Sequence, residues 1–320
     1  MTLFLDEKCV KSLVTMDDAL AAVEDAFAEV GRGTVVNVPR VRAPLKDGTL
    51  RITAAVLNTR GYYGIKVSST TIFESSAGRV FSLYKADGAL AAIVQVFAMG
   101  ALRTGAASGI ATKYMARPDA AILAVIGTGR QARTQAEAIC KVRPITEIRS
   151  FSRSPDNRDA FRRALAHLDI PIVGAASAEA AVHDADIVVT ATTSEKPVVL
   201  GDWLAPGTHV NAIGANFEHR RELDSAAVGR AAVIATDDLE QVRYEATDLV
   251  APVGEGVISW DRVCGLGEIV AGKRPGRTGA DDITLFKSLG VALEDVALAA
   301  VAYEKALERG IGQKLPDLAG

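Results

Sequence analysis

The 320-residue chain carries little of what would staple, anchor or metallate a protein: three cysteines, four histidines and only 5% aromatic residues. Cys9, Cys140 and Cys264 are odd in number and lie far from any second Cys or His at ligand spacing, so the pattern predicts reduced thiols and no structural zinc. His167, His183, His209 and His219 show neither metal spacing nor a nucleophile partner, with His219 alone near a candidate site. No run reaches the roughly 18 uninterrupted apolar residues of a membrane span. The start, MTLFLDEKCV, has neither a basic leader nor a signal-length apolar run, so the reading is cytoplasmic, without a membrane partner. Charge of neither sign dominates: the formal net charge is -3, with no basic stripe, which excludes nucleic acid as the expected partner.

What is abundant is Ala and Val, within a hydrophobic content of 49%, together with Gly, a composition suited to helices packed closely on buried parallel strands. The length exceeds one ordinary core and predicts two domains. Residues 16–32, MDDALAAVEDAFAEVGR, place apolar residues at helical spacing behind an acidic first turn. From Val35 to Val96, β-rich runs (LRITAAV, YYGIKVSS, RVFSLYK, LAAIVQVF) alternate with turn signals KDG, SSAG and ADG, predicting an antiparallel or mixed sheet. Residues 98–116 read as a small-residue helix ended by Arg117 and Pro118. Beyond it AILAVIG, EIRSFS, PIVGA, DIVVTAT, HVNAIGAN and AAVIATD alternate with helical stretches, which implies βαβ crossovers and a parallel sheet. Residues 284–310 read as a long apolar closing helix, packed on its own domain or returning to the first. GLGEIVAGKRPGR is expected to be a turn, a short helix and a basic loop, with no buried parallel strand ahead of it.

The strongest local signal is AAILAVIGTGRQARTQAEAI. A buried-strand run ends at Gly127, and Gly127, Gly129 and Ala132 make GxGxxA: a sharp turn, a close approach of backbone to a diphosphate, and tight helix–strand packing. Amide groups and the positive end of the helix dipole then face the phosphates, with Thr128, Arg130 and Gln131 completing the loop. An NAD site usually has an acid about 20 residues onward, at the end of the second strand. Here Phe151, Ser152, Arg153 and Ser154 stand instead; Arg153 can pair with a 2′-phosphate and the serines can donate to it, so NADP(H) is favoured and NAD(H) is possible.

Upstream, Arg40, Arg42, Arg51, Lys66 and Arg103 are embedded in apolar or small-residue stretches and together suggest a carboxylate clamp. The segments VPRVRAP, TLRITAAV, GIKVSS, LRTGAASGIATKYMAR, AVIGTGRQARTQAEA, VNAIGANFEHRRELD and LGVALEDVALAAVAYEKALERG, in this order and spacing, resemble the ornithine cyclodeaminase/mu-crystallin family over essentially the whole chain. That resemblance implies a Rossmann domain over 116–297 and an α+β substrate-binding and dimerisation domain from 1–115 plus 298–320, with the active site between them and a homodimer as assembly. It places the substrate carboxylate on Arg103 and on Arg40 or Arg51, makes Lys66 the active-site lysine, and turns Thr104 toward the cofactor. Ala191, Thr192 and Thr193, together with Ile213 and Gly214, are expected at the cofactor too, at the ends of DIVVTAT and HVNAIGAN.

Two positions depart from the family pattern. Where cyclodeaminases and archaeal alanine dehydrogenases carry a proton-exchanging Asp, this chain has Asn216, and an amide cannot exchange a proton near neutral pH. Thr53-Ala54-Ala55 stands where many relatives have Met-Pro-Ala. The expected activity is NAD(P)H-dependent reduction of a small, often cyclic, imino acid such as pyrroline- or piperideine-2-carboxylate. The alternatives are ornithine cyclodeamination, with Asp87, Glu218 or Glu222 replacing the Asp; an alanine or arginine dehydrogenase; and a decayed cofactor-binding protein.

Overall fold

The structure is a computed structural model that describes residues 1–70 and 79–316; the SSAG turn at 75–78 lies outside the described residues. The chain divides into two compact units, Met1–Arg103 with Gly290–Gly320, and Thr104–Leu289. The limits expected from sequence, 115/116 and 297/298, therefore move to 103/104 and 289/290. The first falls inside a continuous helix, and the second precedes a helix whose first turn binds side chains of the first unit.

The first unit begins with β1 (Leu3–Leu5), α1 (Glu7–Leu13) and α2 (Met16–Arg32). Thr15 and Asp18 close a reciprocal capping box at the start of α2, and Gly33, in the left-handed region at φ 78°, ends it. Strands β2 (Val35–Leu45), β3 (Gly48–Leu57), β4 (Tyr62–Ser69), β5 (Val80–Lys85) and β6 (Leu90–Gln95) follow, and then α3 (Phe97–Met115), which contains the boundary between the units. The chain returns at α11 (Ala292–Arg309) and β15 (Gln313–Lys314), giving a seven-stranded mixed sheet in the order β15-β1-β6-β5-β4-β3-β2. β1 and α1 escape sequence reading because neither offers enough residues for a periodicity.

Period-two alternation divides this sheet into two unlike faces. Ala55, Leu57, Phe81 and Leu83 are buried, and α11 packs against α2, β3 and β4. Arg42, Arg51 and Ser68 form one ladder row on that side, and Thr53, Lys66 and Phe81 form the next. The opposite face carries the rows Val41–Ile52–Val67 and Val38–Ala54–Ile65. The edge strand β2 is bulged between Val38 and Val41, where Pro39 has no amide to offer a ladder.

In the second unit β7 (Ile122–Ile126), α4 (Arg130–Val142), β8 (Glu147–Phe151), α5 (Pro155–Ala164), β9 (Ile172–Gly174), α6 (Ala178–Val182) and β10 (Ile187–Thr190) come first. β11 (His209–Ala212), α7 (Ser225–Arg230), β12 (Ala231–Thr236), α8 (Val242–Glu245), α9 (Thr247–Gly254), β13 (Val263–Gly265), α10 (Leu266–Val270) and β14 (Ile283–Lys287) complete it. Its eight strands are all parallel, in the order β13-β12-β14-β11-β10-β7-β8-β9. This is a doubly wound Rossmann sheet whose order reverses between β7 and β10. Leu123 and Val125 enter one hydrophobic cluster with Ala132, Ile139 and Phe161, while Ala124 and Ile126 enter another with Val188 and Val210, so both faces are covered.

The second unit departs from the sequence expectation at two strands, β14 and β13. Residues 284–287 are not the start of the closing helix: β14 inserts between β11 and β12, buried on both faces, and a five-residue segment is too short for a period to tell strand from helix. A buried parallel strand, β13, does precede the GLGEIVAGKRPGR segment, although the short helix α10 follows as expected. No helix among the described residues is long and apolar enough to cross a membrane.

Gly64 in β4 lies under the Phe81 ring, where a Cβ would sit 2.3 Å from ring carbons and 2.8 Å from the Ser82 carbonyl. Gly64→Ala is expected to lower stability by about 1–3 kcal/mol through overpacking, read as a lower denaturation midpoint. An unchanged midpoint would contradict this packing.

Candidate functional site

In the first unit the sheet and α11 assemble a buried group of charges. Lys66 rises from β4 toward α11, where its Nζ donates to Asp295 Oδ2. Arg103, in α3, donates from Nε to Asp295 Oδ1 at 3.1 Å and from Nη1 to Glu294 Oε2 at 2.7 Å. Arg40, leaving the β2 bulge, donates from Nη2 to the Gly290 carbonyl at 2.6 Å. Gly290 must be glycine: its φ is +69°, and a Cβ would lie 2.4 Å from Arg103 Nη1. The Lys66 and Arg103 side chains retain 16% and 9% exposure, whereas Glu294 and Asp295 retain none.

Burial is the largest influence on Lys66 and, helped by Arg103 and Arg40, brings its ammonium from 10.5 down to about 8 against the opposing Asp295 charge. Asp295 is held below the usual carboxylate range; burial, the largest single influence, is outweighed by Arg103 and Lys66 together. The structure thus brings Lys66 and Arg103 onto one carboxylate, and Arg40 onto the same segment of chain. Arg51 is half-buried on the same sheet face, one ladder row from Lys66, opposite Arg42 and Ser68. Sequence reading missed Glu294 and Asp295; the signal available was two adjacent acids opening an otherwise apolar helix.

In the second unit β7 delivers the chain to Gly127, whose φ is +96° and whose missing Cβ would lie 2.5 Å from the Ala191 carbonyl. Its amide donates to the Phe151 carbonyl at 2.8 Å, tying the turn to the end of β8. Gly129 is the N-cap of α4; it supplies no capping side chain, and open space lies where its Cβ would be. The first-turn amides therefore face that space, and Ala132 is buried against the sheet, so a dinucleotide diphosphate fits this turn. Thr128 Oγ1 donates to Ser152 Oγ at 2.8 Å, and Ser152 Oγ to the Ser154 carbonyl at 3.2 Å. Arg153 and Arg130 are exposed and Gln131 is half-buried. Arg158, which sequence reading missed, donates from Nη1 to the Ser152 carbonyl and adds a second cation at the end of β8. Thr104 is buried, and its carbonyl accepts from Gln135 Nε2 at 3.1 Å.

The ends of β10 and β11 are organised by Glu222, fully buried. Its Oε1 accepts from the Thr192 amide at 2.6 Å and the Thr192 hydroxyl at 2.8 Å; its Oε2 accepts from the Gly214 amide at 2.6 Å and the Thr190 hydroxyl at 2.9 Å. A Cβ on Gly214 would lie 2.1 Å from the Thr192 carbonyl. Burial pushes the Glu222 carboxyl up, against Lys287 and the Thr192 amide. Asp248 accepts from the Glu222 and Leu223 amides and from Lys287 Nζ at 2.9 Å. Ala191 and Thr192 are half-buried, Thr193 is exposed and Ile213 is buried. Asn216 is half-buried in the loop after β11, and His219 is exposed with its ring 5.7 Å from that of Phe217.

Fold and turn define the class: a Rossmann-type dinucleotide-binding protein with a second α+β unit carrying buried cations. Residues 1–310 match the ornithine cyclodeaminase/mu-crystallin family, and the chain belongs to it. It is 37% identical over 324 residues to an alanine dehydrogenase of Archaeoglobus fulgidus, covering 98% of each chain. It is 32% identical to a Delta(1)-pyrroline-2-carboxylate reductase of Bacillus cereus, covering 95% of this chain and 97% of that one. The structure of Thermococcus litoralis Delta(1)-pyrroline-2-carboxylate reductase in complex with NADH and L-proline is similar, with a TM-score of 0.92 at 36% identity, covering 98% of this chain and all of that one.

Lys287 and Asp248 form an ion pair with no exposed side-chain surface. Lys287→Met leaves Asp248 buried without its cation and is expected to cost about 3–5 kcal/mol, measured by denaturant unfolding. A change within 0.5 kcal/mol, the size of an ordinary surface substitution, would mean that Asp248 does not depend on Lys287.

Proposed function

We propose that this chain is a nicotinamide-dinucleotide-dependent imine reductase that converts a small cyclic imino acid, such as pyrroline- or piperideine-2-carboxylate, to the amino acid. The observation that carries the reading is the convergence of Lys66 and Arg103 on Asp295, each cation keeping an exposed edge. The Arg103 guanidinium can bind a planar carboxylate through paired N–H donors, and the Lys66 ammonium adds a point charge. The likeness to two proteins named as pyrroline-2-carboxylate reductases supports the substrate class.

When bound, the dinucleotide supplies the hydride. The chain's own part is positioning: Arg103, Lys66 and Arg40 or Arg51 fix the substrate carboxylate, and holding reactants in near-attack geometry is worth on the order of 7–11 kcal/mol. Gly127–Gln131 hold the diphosphate, with Thr104, Ala191–Thr193, Ile213 and Gly214 around the rest of the dinucleotide. Lys66, close to half protonated near pH 8, can donate a hydrogen bond to the carboxylate or to a water. Asn216 orients water or substrate without exchanging protons.

Asp87, Glu218 and Glu222 are each poorly placed to take over that exchange. Asp87 accepts from the Ala89 amide in the β5–β6 turn, Glu218 is exposed, and Glu222 is fully buried among its donors. These placements disfavour cyclodeamination. For the cofactor, Arg153, Arg158, Ser152 and Ser154, with no acid at the end of β8, favour NADPH over NADH. The chain is further proposed to form a homodimer through the outer face of the first unit's sheet, where Val36, Val38, Val41 and Val67 are 42–53% exposed. A monomeric mass in solution would remove that part.

NADPH oxidation is expected with pyrroline- and piperideine-2-carboxylate at neutral pH, with proline or pipecolate as product. Ammonia released from ornithine without net reduction would replace this reading by cyclodeamination, and silence in both assays would leave a binding protein. Arg153→Asp is expected to raise the KM for NADPH about 10- to 100-fold, the worth of a charged hydrogen bond, and to spare NADH. Equal losses for both would take Arg153 off the 2′-phosphate.

A further inference from the structure

The carboxylates that gather the cations are themselves sealed from solvent, and this separates their role from that of a substrate ligand. Segment 290–295 collects three cations from three elements: Arg40 of β2 through the Gly290 carbonyl, Lys66 of β4 through Asp295, and Arg103 of α3 through Glu294 and Asp295. Val291 caps α11 without a side-chain hydrogen bond, so its first-turn carboxylates also sit at the positive end of the helix. Glu294 takes Arg103 through Oε2, whereas Asp295 spans Lys66 and Arg103 with its two oxygens.

We propose that Asp295 is a positioning residue: its buried carboxylate fixes the Lys66 ammonium and the Arg103 guanidinium in the one arrangement in which both exposed edges meet the substrate carboxylate. The inference rests on the reductase reading only for the identity of that substrate. Asp295 has no exposed side-chain surface, so it acts through the two cations and not on the substrate.

The charged groups facing Lys66 are Asp295 from α11, Arg103 from α3 and Arg40 from β2; Arg51 of β3, with Arg42 opposite it, lies one ladder row away, and β5 contributes the neutral Phe81. Burial and the arginines favour neutral lysine, and Asp295 alone among them favours the ammonium. Cationic Lys66 is the form that binds a carboxylate, so kcat/KM falls as pH rises through the Lys66 titration near 8. Removing the Asp295 charge moves that fall to lower pH.

The test compares the wild-type protein with Asp295→Asn and Asp295→Glu. Lys66 acetylation by acetic anhydride is followed against pH by mass spectrometry without dinucleotide, and kcat/KM is followed against pH with NADPH and Delta(1)-pyrroline-2-carboxylate. In Asp295→Asn both midpoints are expected to fall by about one to three pH units. The KM for the imino acid should rise at least tenfold, with the KM for NADPH unchanged. Asp295→Glu keeps the charge and misplaces it: its acetylation midpoint stays near wild type while kcat/KM drops at least tenfold. A folded Asp295→Asn with the wild-type acetylation midpoint would overturn the proposal, and so would full kcat/KM in Asp295→Glu, which also decides the matter should the Asn variant fail to fold. If acetylation shifts as expected while the wild type reduces no imine, the placement of Lys66 by Asp295 stands and the reductase reading falls.

Discussion

A charge taken out of water has to be met by an opposite charge or by a full set of hydrogen bonds, and this requirement governs the first unit. Asp295 and Glu294 are sealed under the sheet, and they are tolerable there because Lys66 and Arg103 reach them. The dependence runs both ways. Lys66 stands in a buried, arginine-rich setting that favours its neutral form, and Asp295 opposes that. The closing helix α11 is therefore more than a cover for the sheet, since its first turn holds cations from β4 and α3 and the Gly290 carbonyl just before it holds one from β2. Gly290 completes the frame by leaving room for the Arg103 guanidinium where any side chain would collide.

The second unit meets the same requirement chiefly with neutral donors in place of cations. Glu222 is met chiefly by donors at the ends of β10 and β11: the amides of Thr192 and Gly214 and the hydroxyls of Thr190 and Thr192. In an open parallel sheet the ligand crevice lies at the carboxyl ends of strands where their order reverses, here between β7 and β10. Glu222 shapes one side of that crevice, and the turn from Gly127 to Gly129 shapes the other. In each unit a buried carboxylate holds groups that keep some exposed surface, Lys66 and Arg103 in the first and Thr192 and Gly214 in the second.

Much of this was legible in the residues, and the limits of legibility are physical. The GxGxxA turn is a local device, and its glycines announce their backbone requirement within six residues. Lys66 and Arg103 stood out as cations set in apolar and small-residue stretches. Asp295 did not, because its partners lie 229 and 192 residues away in sequence and acids in the first turn of a helix are ordinary. β14 was read as helix because five buried residues in a row carry no periodicity, and only its place between β11 and β12 declares it a strand. The domain limits shifted for a related reason: α3 continues unbroken through the boundary, and the whole of α11 belongs with the first unit.

The reaction proposed for this chain is hydride transfer from a nicotinamide to the imine carbon of an amino-acid precursor whose carboxylate Lys66 and Arg103 would pin. NADPH carrying deuterium at both C4 positions, incubated with Delta(1)-pyrroline-2-carboxylate and the protein, tests it directly when the product is analysed by mass spectrometry and NMR. The expected result is proline with one deuterium at Cα from one face of the nicotinamide. Proline without deuterium would contradict the account.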